Sequence, residues 1–190
     1  MKRKEAILES ARELFNNSNT QAITTNHIAK AMGISPGNLH YHYKNREEII
    51  YKLYIKLRVE MSLDIQELPK SIKELHEHEK ILIKIQWKYR FFFRELLFLF
   101  SRDITLQEQY IKDNLSHRNR IKIVINNLRE NNELNIPDDK ALEYIVDSIL
   151  MSWQFYTSYM HTLGKTLDIK DIDEVIAYTT TAMKLYMIHK

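Results

Sequence analysis

The side chains best equipped for chemistry fall in one short run near the start of the chain, Thr25-Asn-His-Ile-Ala-Lys-Ala-Met-Gly-Ile-Ser-Pro-Gly-Asn-Leu-His-Tyr-His-Tyr, followed at once by Lys44 and Arg46. Thr25, Asn26, Ser35, Asn38, His40, Tyr41 and His42 carry hydrogen-bonding groups, while Pro36 and Gly37 offer small surfaces. An asparagine such as Asn38 can pair with the edge of a base, which is how sequence is read. Lys2, Arg3, Lys4, Lys44 and Arg46 suit phosphates, which position a protein but carry little sequence information. Tyr41 can stack, touch a thymine methyl or bond a phosphate. The charge distribution agrees. Residues 1–58 hold 10 Lys and Arg against 5 Asp and Glu, whereas the remainder holds 18 against 20. A basic end on a mildly acidic body suits a polyanion met at one end only.

Other chemistries find no support in the sequence. With no cysteine, disulfides, thiolate metal sites and cysteine nucleophiles are excluded. No HExxH, P-loop, dinucleotide glycine motif or nucleophile elbow occurs. His76-Glu77-His78-Glu79 has metal-ligating residue types, but His76 and His78 point apart on a helix, so the run reads as a solvated face. The expectation is a protein that is not an enzyme and needs neither metal nor cofactor.

The elements that must hold these residues are helices. In 190 residues there are only 3 Gly and 3 Pro, too few for the many turns of a sheet protein, and 44% of residues are hydrophobic, enough for a real core. Ile7, Leu8, Ala11, Leu14 and Phe15 recur at helical spacing, and Asn16-Asn17-Ser18-Asn19 ends that helix. Thr24 or Thr25 caps a second helix, and Ser35-Pro36 opens a third. Asn45 and Glu48 resemble a capping box opening a fourth, with Ile49, Leu53, Leu57 and Met61 on one face. Further helices are predicted at about 71–100, 106–130, 137–160 and 172–188. Ile83 to Phe91 alternate apolar and polar like a strand, yet no turn residue interrupts the run before Phe100 and no partner strand is apparent, so helix is favoured. Five charges in residues 81–100 argue against a membrane span. The N-terminus lacks the apolar stretch of a signal peptide, which leads to the expectation of a cytoplasmic protein.

Two short helices must cross closely between Thr25 and Tyr43. Ala29 permits close approach, Gly33 supplies the positive φ of the turn, and Ile28, Met32, Ile34 and Leu39 face a shared core. The second of these helices then projects Pro36, Gly37, Asn38, His40 and Tyr41 outward, as a reader of the major groove requires. With Ala11 to Phe15, Thr24-Thr25, Ile28-Ala29, Gly33-Ile34-Ser35, Gly37, Leu39 and Tyr41 through Glu48, the chain resembles the TetR family of transcriptional regulators over about residues 5–55.

That resemblance implies an all-α protein with a helix-turn-helix DNA-binding domain at 1–46 and a helical effector-binding and dimerisation domain at 47–190. It implies a homodimer on a palindromic double-stranded DNA operator, a small-molecule effector, and repression as the default. By position, Thr25, Ser35, Gly37, Asn38, Tyr41 and His42 approach DNA, and Lys44 and Arg46 meet phosphate. Three residues depart from the family pattern. His40 stands where tyrosine is usual. Tyr43 replaces a phenylalanine, so its hydroxyl needs a partner. Asn19 replaces a common glycine, which its tolerance of left-handed backbone explains.

In the second domain the apolar stretch 81–100 should form a central helix whose polar residues make two stripes, Lys84, Lys88 and Glu95 against Gln86, Arg90 and Arg94. Salt bridging is one use for the buried stripe; the other is an anionic group of an effector at Arg90 or Arg94, with Trp87, Phe91, Trp153 and Tyr156 as apolar walls. Dimerisation is expected through helices at about 138–160 and 172–188, along Leu142, Ile145, Ile149, Trp153 and Tyr156 and along Ile172, Val175, Thr179, Ala182 and Tyr186. The alternatives are an activator, or an interaction module of the same fold without DNA binding.

Overall fold

The computed structural model describes residues 2–63, 68–165 and 168–188. Ten α-helices follow one another: α1 (Lys2–Asn17), α2 (Thr25–Ala31), α3 (Pro36–His42), α4 (Arg46–Leu63), α5 (Ile72–Lys88), α6 (Arg90–Arg94), α7 (Leu96–Arg102), α8 (Ile104–Glu130), α9 (Asp139–Thr162) and α10 (Ile172–Lys184). The one extended pairing among the described residues is the bridge between Leu134 and Met187.

The helix boundaries have local causes. Thr24 accepts from the His27 backbone N–H and His27 returns a bond to Thr24, a capping box with histidine in the usual acid's place. Ser35 caps α3 through the Asn38 N–H at 3.2 Å, with Pro36 at the first helical position. Gly33 has φ +64 between the two helices. Asn45 accepts from Glu48 N–H at 2.8 Å, but the Glu48 carboxylate reaches the N–H of Lys44 rather than that of Asn45. Asn19 is not left-handed, which corrects the reading above: its side chain accepts from Ala22 N–H at 2.7 Å. Among the described non-glycine residues, positive φ belongs to Asn132, at the end of α8.

Two main cores result. The first joins Ile7, Phe15, Ile28, Leu39, Ile49 and Leu53 of the N-terminal helices to Phe91, Phe92, Leu96 and Leu106 of the body. The second packs the end of α8 against α9, with Val124, Ile125, Leu128, Ile145 and Ile149 at its centre.

The single helix predicted for 71–100 is broken twice, at Tyr89 and at Glu95 (φ −113 at both). The cause of the first break lies in α1. A helix break frees backbone groups that must find partners. The Lys88 carbonyl accepts from Arg12 Nη1 at 2.8 Å and from Asn16 Nδ2 at 2.9 Å, and the Phe91 N–H donates to Asn16 Oδ1 at 3.1 Å. The strand-like alternation of 83–91 is helical to Lys88 in α5 and again from Arg90 in α6.

The face of α9 predicted for dimerisation is buried inside the subunit instead. Leu142, Ile145, Ile149, Trp153 and Tyr156 all lie in its interior. Tyr144, Met151, Phe155 and Tyr159 form a second apolar stripe on α9 that remains exposed, as do Tyr178 and Leu185 toward the C-terminus. The side chains of Ile172, Thr179 and Ala182 lie outside the described residues.

Candidate nucleic-acid interface and effector cavity

The short helices α2 and α3 pack by Ile28, Ala29 and Leu39, all essentially inaccessible, and everything opposite faces out. Asn26, Ser35, Pro36, Gly37, Asn38, His40 and Tyr41 are exposed, with Tyr41 at 85%; Thr25 and His42 are half-buried. The Tyr41 side chain is thus open to a partner surface. Its ring meets His42 edge-on at 5.1 Å. His40 Nδ1 lies 3.2 Å from the Lys44 carbonyl, which ties that ring to the end of α3. The Tyr43 hydroxyl finds its partner in the Lys4 carbonyl at 3.3 Å.

Arg46 is placed differently from the expectation. Its guanidinium turns inward, donating to the Thr20 carbonyl at 2.8 Å and to Glu47 at 2.8 Å. It fastens α4 to the loop before α2. Lys44 stays exposed, as do Lys2, Arg3 and Lys4 on the first turn of α1.

Four of the six predicted effector residues come together, Trp87, Arg90, Trp153 and Tyr156, while Phe91 and Arg94 lie elsewhere. Phe91 is fully buried in the first core, 5.3 Å from Phe15. Arg94 caps the C-terminus of α1, donating to the carbonyls of Phe15, Asn16 and Ser18. Arg90 lies over the Trp87 ring at 5.0 Å and donates to the Trp87 carbonyl. Arg90, Trp87, Trp153 and Tyr156 share a cleft of only about 30 Å³. Burial pushes the Tyr156 hydroxyl up to about 12, with acidic neighbours adding to it.

The larger cavity, about 240 Å³, lies on the other side of Trp153, between α4, α5, α6, α8 and α9. Tyr54, Leu57, Phe93, Tyr110 and Trp153 give it largely apolar walls, and Arg58, Asp113, His117 and Arg120 add two guanidiniums, a carboxylate and an imidazole. The sequence points to Trp153 and Phe93 as effector walls and to Leu57, Met61 and Gln86 by their spacing, but to none of those four. Asp113 is saturated: it accepts from Arg58 Nε at 2.5 Å and Nη2 at 2.9 Å, from the Tyr54 hydroxyl at 2.5 Å, and from Gln109 at 3.1 Å. Burial and that carboxylate push the Tyr54 phenol far above its usual range. Burial, with Arg120 and His78 adding to it, holds His117 down at about 4, so it is neutral at pH 7. Its ring lies 5.4 Å from that of Trp153.

One helix connects the two regions. The start of α4 holds the N-terminal head through Arg46, and Leu57, Arg58 and Met61 near its other end line the cavity. The family model for the N-terminal domain of bacterial regulatory proteins of the TetR family matches residues 7–52, and that for the bacterial transcriptional repressor TetR matches residues 56–187. The chain belongs to the TetR family of transcriptional regulators. Its fold is shared with a TetR-family regulator from Marinobacter aquaeolei (24% identity, TM-score 0.90, covering 99% of this chain and 92% of that one). It is also shared with a ketosteroid transcriptional regulator of Mycobacterium tuberculosis (17%, TM-score 0.72, 98% and 96%). A fatty acid metabolism regulator from Clostridium perfringens, described as putative, matches less closely (20%, TM-score 0.64, 97% and 100%). No curated protein matches the chain in sequence. Within this TetR-family chain, no described helix is long and apolar enough to cross a membrane.

Proposed function

We propose that this TetR-family regulator is a repressor that binds a palindromic operator as a homodimer and leaves it when a small, largely apolar effector enters the cavity. The observation that carries the reading is the reach of α4, from Arg46 under the head to Arg58 and Met61 at the cavity wall. A molecule that fits the cavity better in one orientation of α4 shifts the spacing of the two heads, and only to the extent of that preference. Residues 1–46 form the reading head and residues 47–190 the effector and dimerisation unit, acting in the cytoplasm, where the chromosome lies. Thr25, Asn26, Ser35, Pro36, Gly37, Asn38, His40, Tyr41 and His42 face the groove, and Lys44 joins the basic first turn of α1 on the phosphates. Dimerisation through the exposed stripes of α9 and α10 makes the operator symmetric.

The test is a mobility shift with DNA from upstream of the protein's own gene, repeated across a salt series. Each neutralised phosphate contributes about −0.9 to the slope of log K against log salt. A shift that steepens with the number of contacts supports the reading. Absence of a shift at low salt, or a salt-insensitive complex, moves the protein to the class of interaction modules that keep the fold without DNA binding.

A further inference from the structure

We propose that the effector is a monoanion on a mostly apolar skeleton and that Arg120 of α8 selects it. The inference rests on the effector reading above and adds the charge of the ligand and the residue that reads it. Three charged side chains line the 240 Å³ cavity: Arg58, Asp113 and Arg120. Arg58 and Asp113 cancel in a two-pronged ion pair, and Asp113 accepts two further hydrogen bonds, so no acceptor capacity is left for a cationic ligand. His117 is neutral at pH 7. Asn114 and Gln154 bond to each other, and Gln86 donates to the Trp153 carbonyl at 2.6 Å.

Arg120 is the exception. It makes no ion pair or hydrogen bond among the described residues. Arg120 also lines the neighbouring 40 Å³ cavity together with the buried Glu79, but that carboxylate does not line this one. The cavity therefore presents aromatic and aliphatic walls with one guanidinium that no carboxylate of its own lining pairs with. A guanidinium half-withdrawn from water binds a carboxylate by charge-assisted hydrogen bonds, which exceed neutral ones by roughly twofold in strength. A cation in the same place meets repulsion and finds no free carboxylate. The volume lies below the ~300–1,000 Å³ common for drug-sized ligands, so the skeleton is small.

The experiment uses the full-length protein and two sets of probes with matched shape and different charge: decanoate, decanol and decylammonium, and 2-naphthoate, 2-naphthalenemethanol and 2-naphthylmethylammonium. Affinity is read by calorimetry, and release of operator DNA by fluorescence anisotropy in parallel. In at least one set the anion should bind about tenfold or more tighter than the alcohol, with the ammonium weakest. R120Q should bring the anion down to the alcohol while leaving the alcohol's affinity unchanged, and R120K should keep part of the preference. Thermal melting of both variants checks that the fold is intact. The proposal is overturned if the alcohol or ammonium binds as well as the anion in both sets, if none of the six binds, or if the preference survives R120Q. An alcohol or ammonium that releases DNA at the same concentration as the matched anion, or lower, would overturn the charge assignment while upholding ligand-responsive regulation. Failure of the free protein to bind operator would instead remove the regulatory reading and leave the charge preference to stand on the calorimetry.

Discussion

The Glu95 carboxylate accepts both the backbone N–H of Thr20, at 3.0 Å, and its hydroxyl, at 2.6 Å. Glu95 stands at the second break of the central helix run, and Thr20 ends the stretch that Arg46 holds from the other side. One buried threonine thus ties the body to the head and to the start of α4. The Glu95 side chain is only 10% exposed, so the bonds are not diluted by solvent. Glu95→Ala should lower unfolding stability by about 1.5–3 kcal/mol, the range for hydrogen bonds to a charged group. Operator affinity should fall with it, because the head loses its fixed orientation. Urea denaturation and DNA titration check this, and unchanged values for both would remove Glu95 from the coupling.

Acid should weaken the protein through His117. Burial first, then Arg120 and His78, holds its folded pKa at about 4 against 6.5 for an ordinary histidine. Between those values the unfolded chain binds a proton that the folded chain refuses. The stability is therefore complete above pH 6.5 and is lost as the pH falls toward 4. Integrated from pH 7 to pH 5, the loss is about 2 kcal/mol. His117→Gln should remove that part of the pH dependence, whatever its own cost at pH 7. Urea midpoints of both proteins at the two pH values decide the matter; parallel losses would show that His117 does not contribute.

How far these features were legible depends on the distance over which each is caused. The α2–turn–α3 unit was readable because its determinants are adjacent: Thr24 caps α2, Gly33 takes φ +64 and Ser35-Pro36 restarts the chain. The breaks in the central helix were not, because the groups that accommodate the first of them, Arg12 and Asn16, lie more than seventy residues away. Arg94 had the residue type of an anion binder, yet the carbonyls at the end of α1 take it. On α9 the spacing was right but ambiguous, since the helix is apolar on two sides and periodicity does not say which side faces inward. For Arg120 and His117 the available signal was weak: a run from Asp113 to Arg120, polar except for Leu115, interrupting the apolar pattern of α8.

The exposed stripe of α9 gives a prediction for assembly. Tyr144, Met151, Phe155 and Tyr159 recur at helical spacing and lie 72, 59, 41 and 50% exposed, with Leu185 at 91% in the same unit. Such a continuous apolar surface marks a protein contact. Met151→Glu combined with Phe155→Glu leaves the subunit's interior untouched and buries charges in the proposed dimer. Light scattering should show dimer dissociation weakened roughly ten- to a hundredfold, with operator binding lost in step. An unchanged dimer would place the interface elsewhere.

Asn38 should discriminate between operator variants. It is exposed on the first turn of α3, where Ser35 engages its backbone N–H and its side chain makes no hydrogen bond among the described residues. Its side-chain amide is therefore open to the paired acceptor and donor on an adenine edge. Asn38→Ala should cost roughly 1–3 kcal/mol at one base pair and relax preference there. A panel of single-base operator variants reads this; uniform weakening across the panel would reassign Asn38 to the phosphates.

Gly37 separates the demands of the fold from those of the partner. It sits in the first turn of α3 without positive φ, and a Cβ added there meets nothing within 4 Å. The isolated protein gains nothing from a glycine at this position, which costs a helix up to about 1 kcal/mol relative to alanine. Gly33 is the contrasting case, since its φ of +64 makes any side chain there strained even though space is open. Gly37→Ala should therefore raise unfolding stability by a few tenths to about 1 kcal/mol, and Gly33→Ala should lower it by about 1 kcal/mol. In DNA binding the pair should diverge from their stability effects. Gly37→Leu should weaken operator binding at least about tenfold although the protein melts no lower, because the added bulk occupies space that the DNA backbone needs. Thermal melting and anisotropy titration on the same preparations compare the two readouts directly. If Gly37→Leu binds operator as the parent does, α3 does not approach DNA by its N-terminal turn.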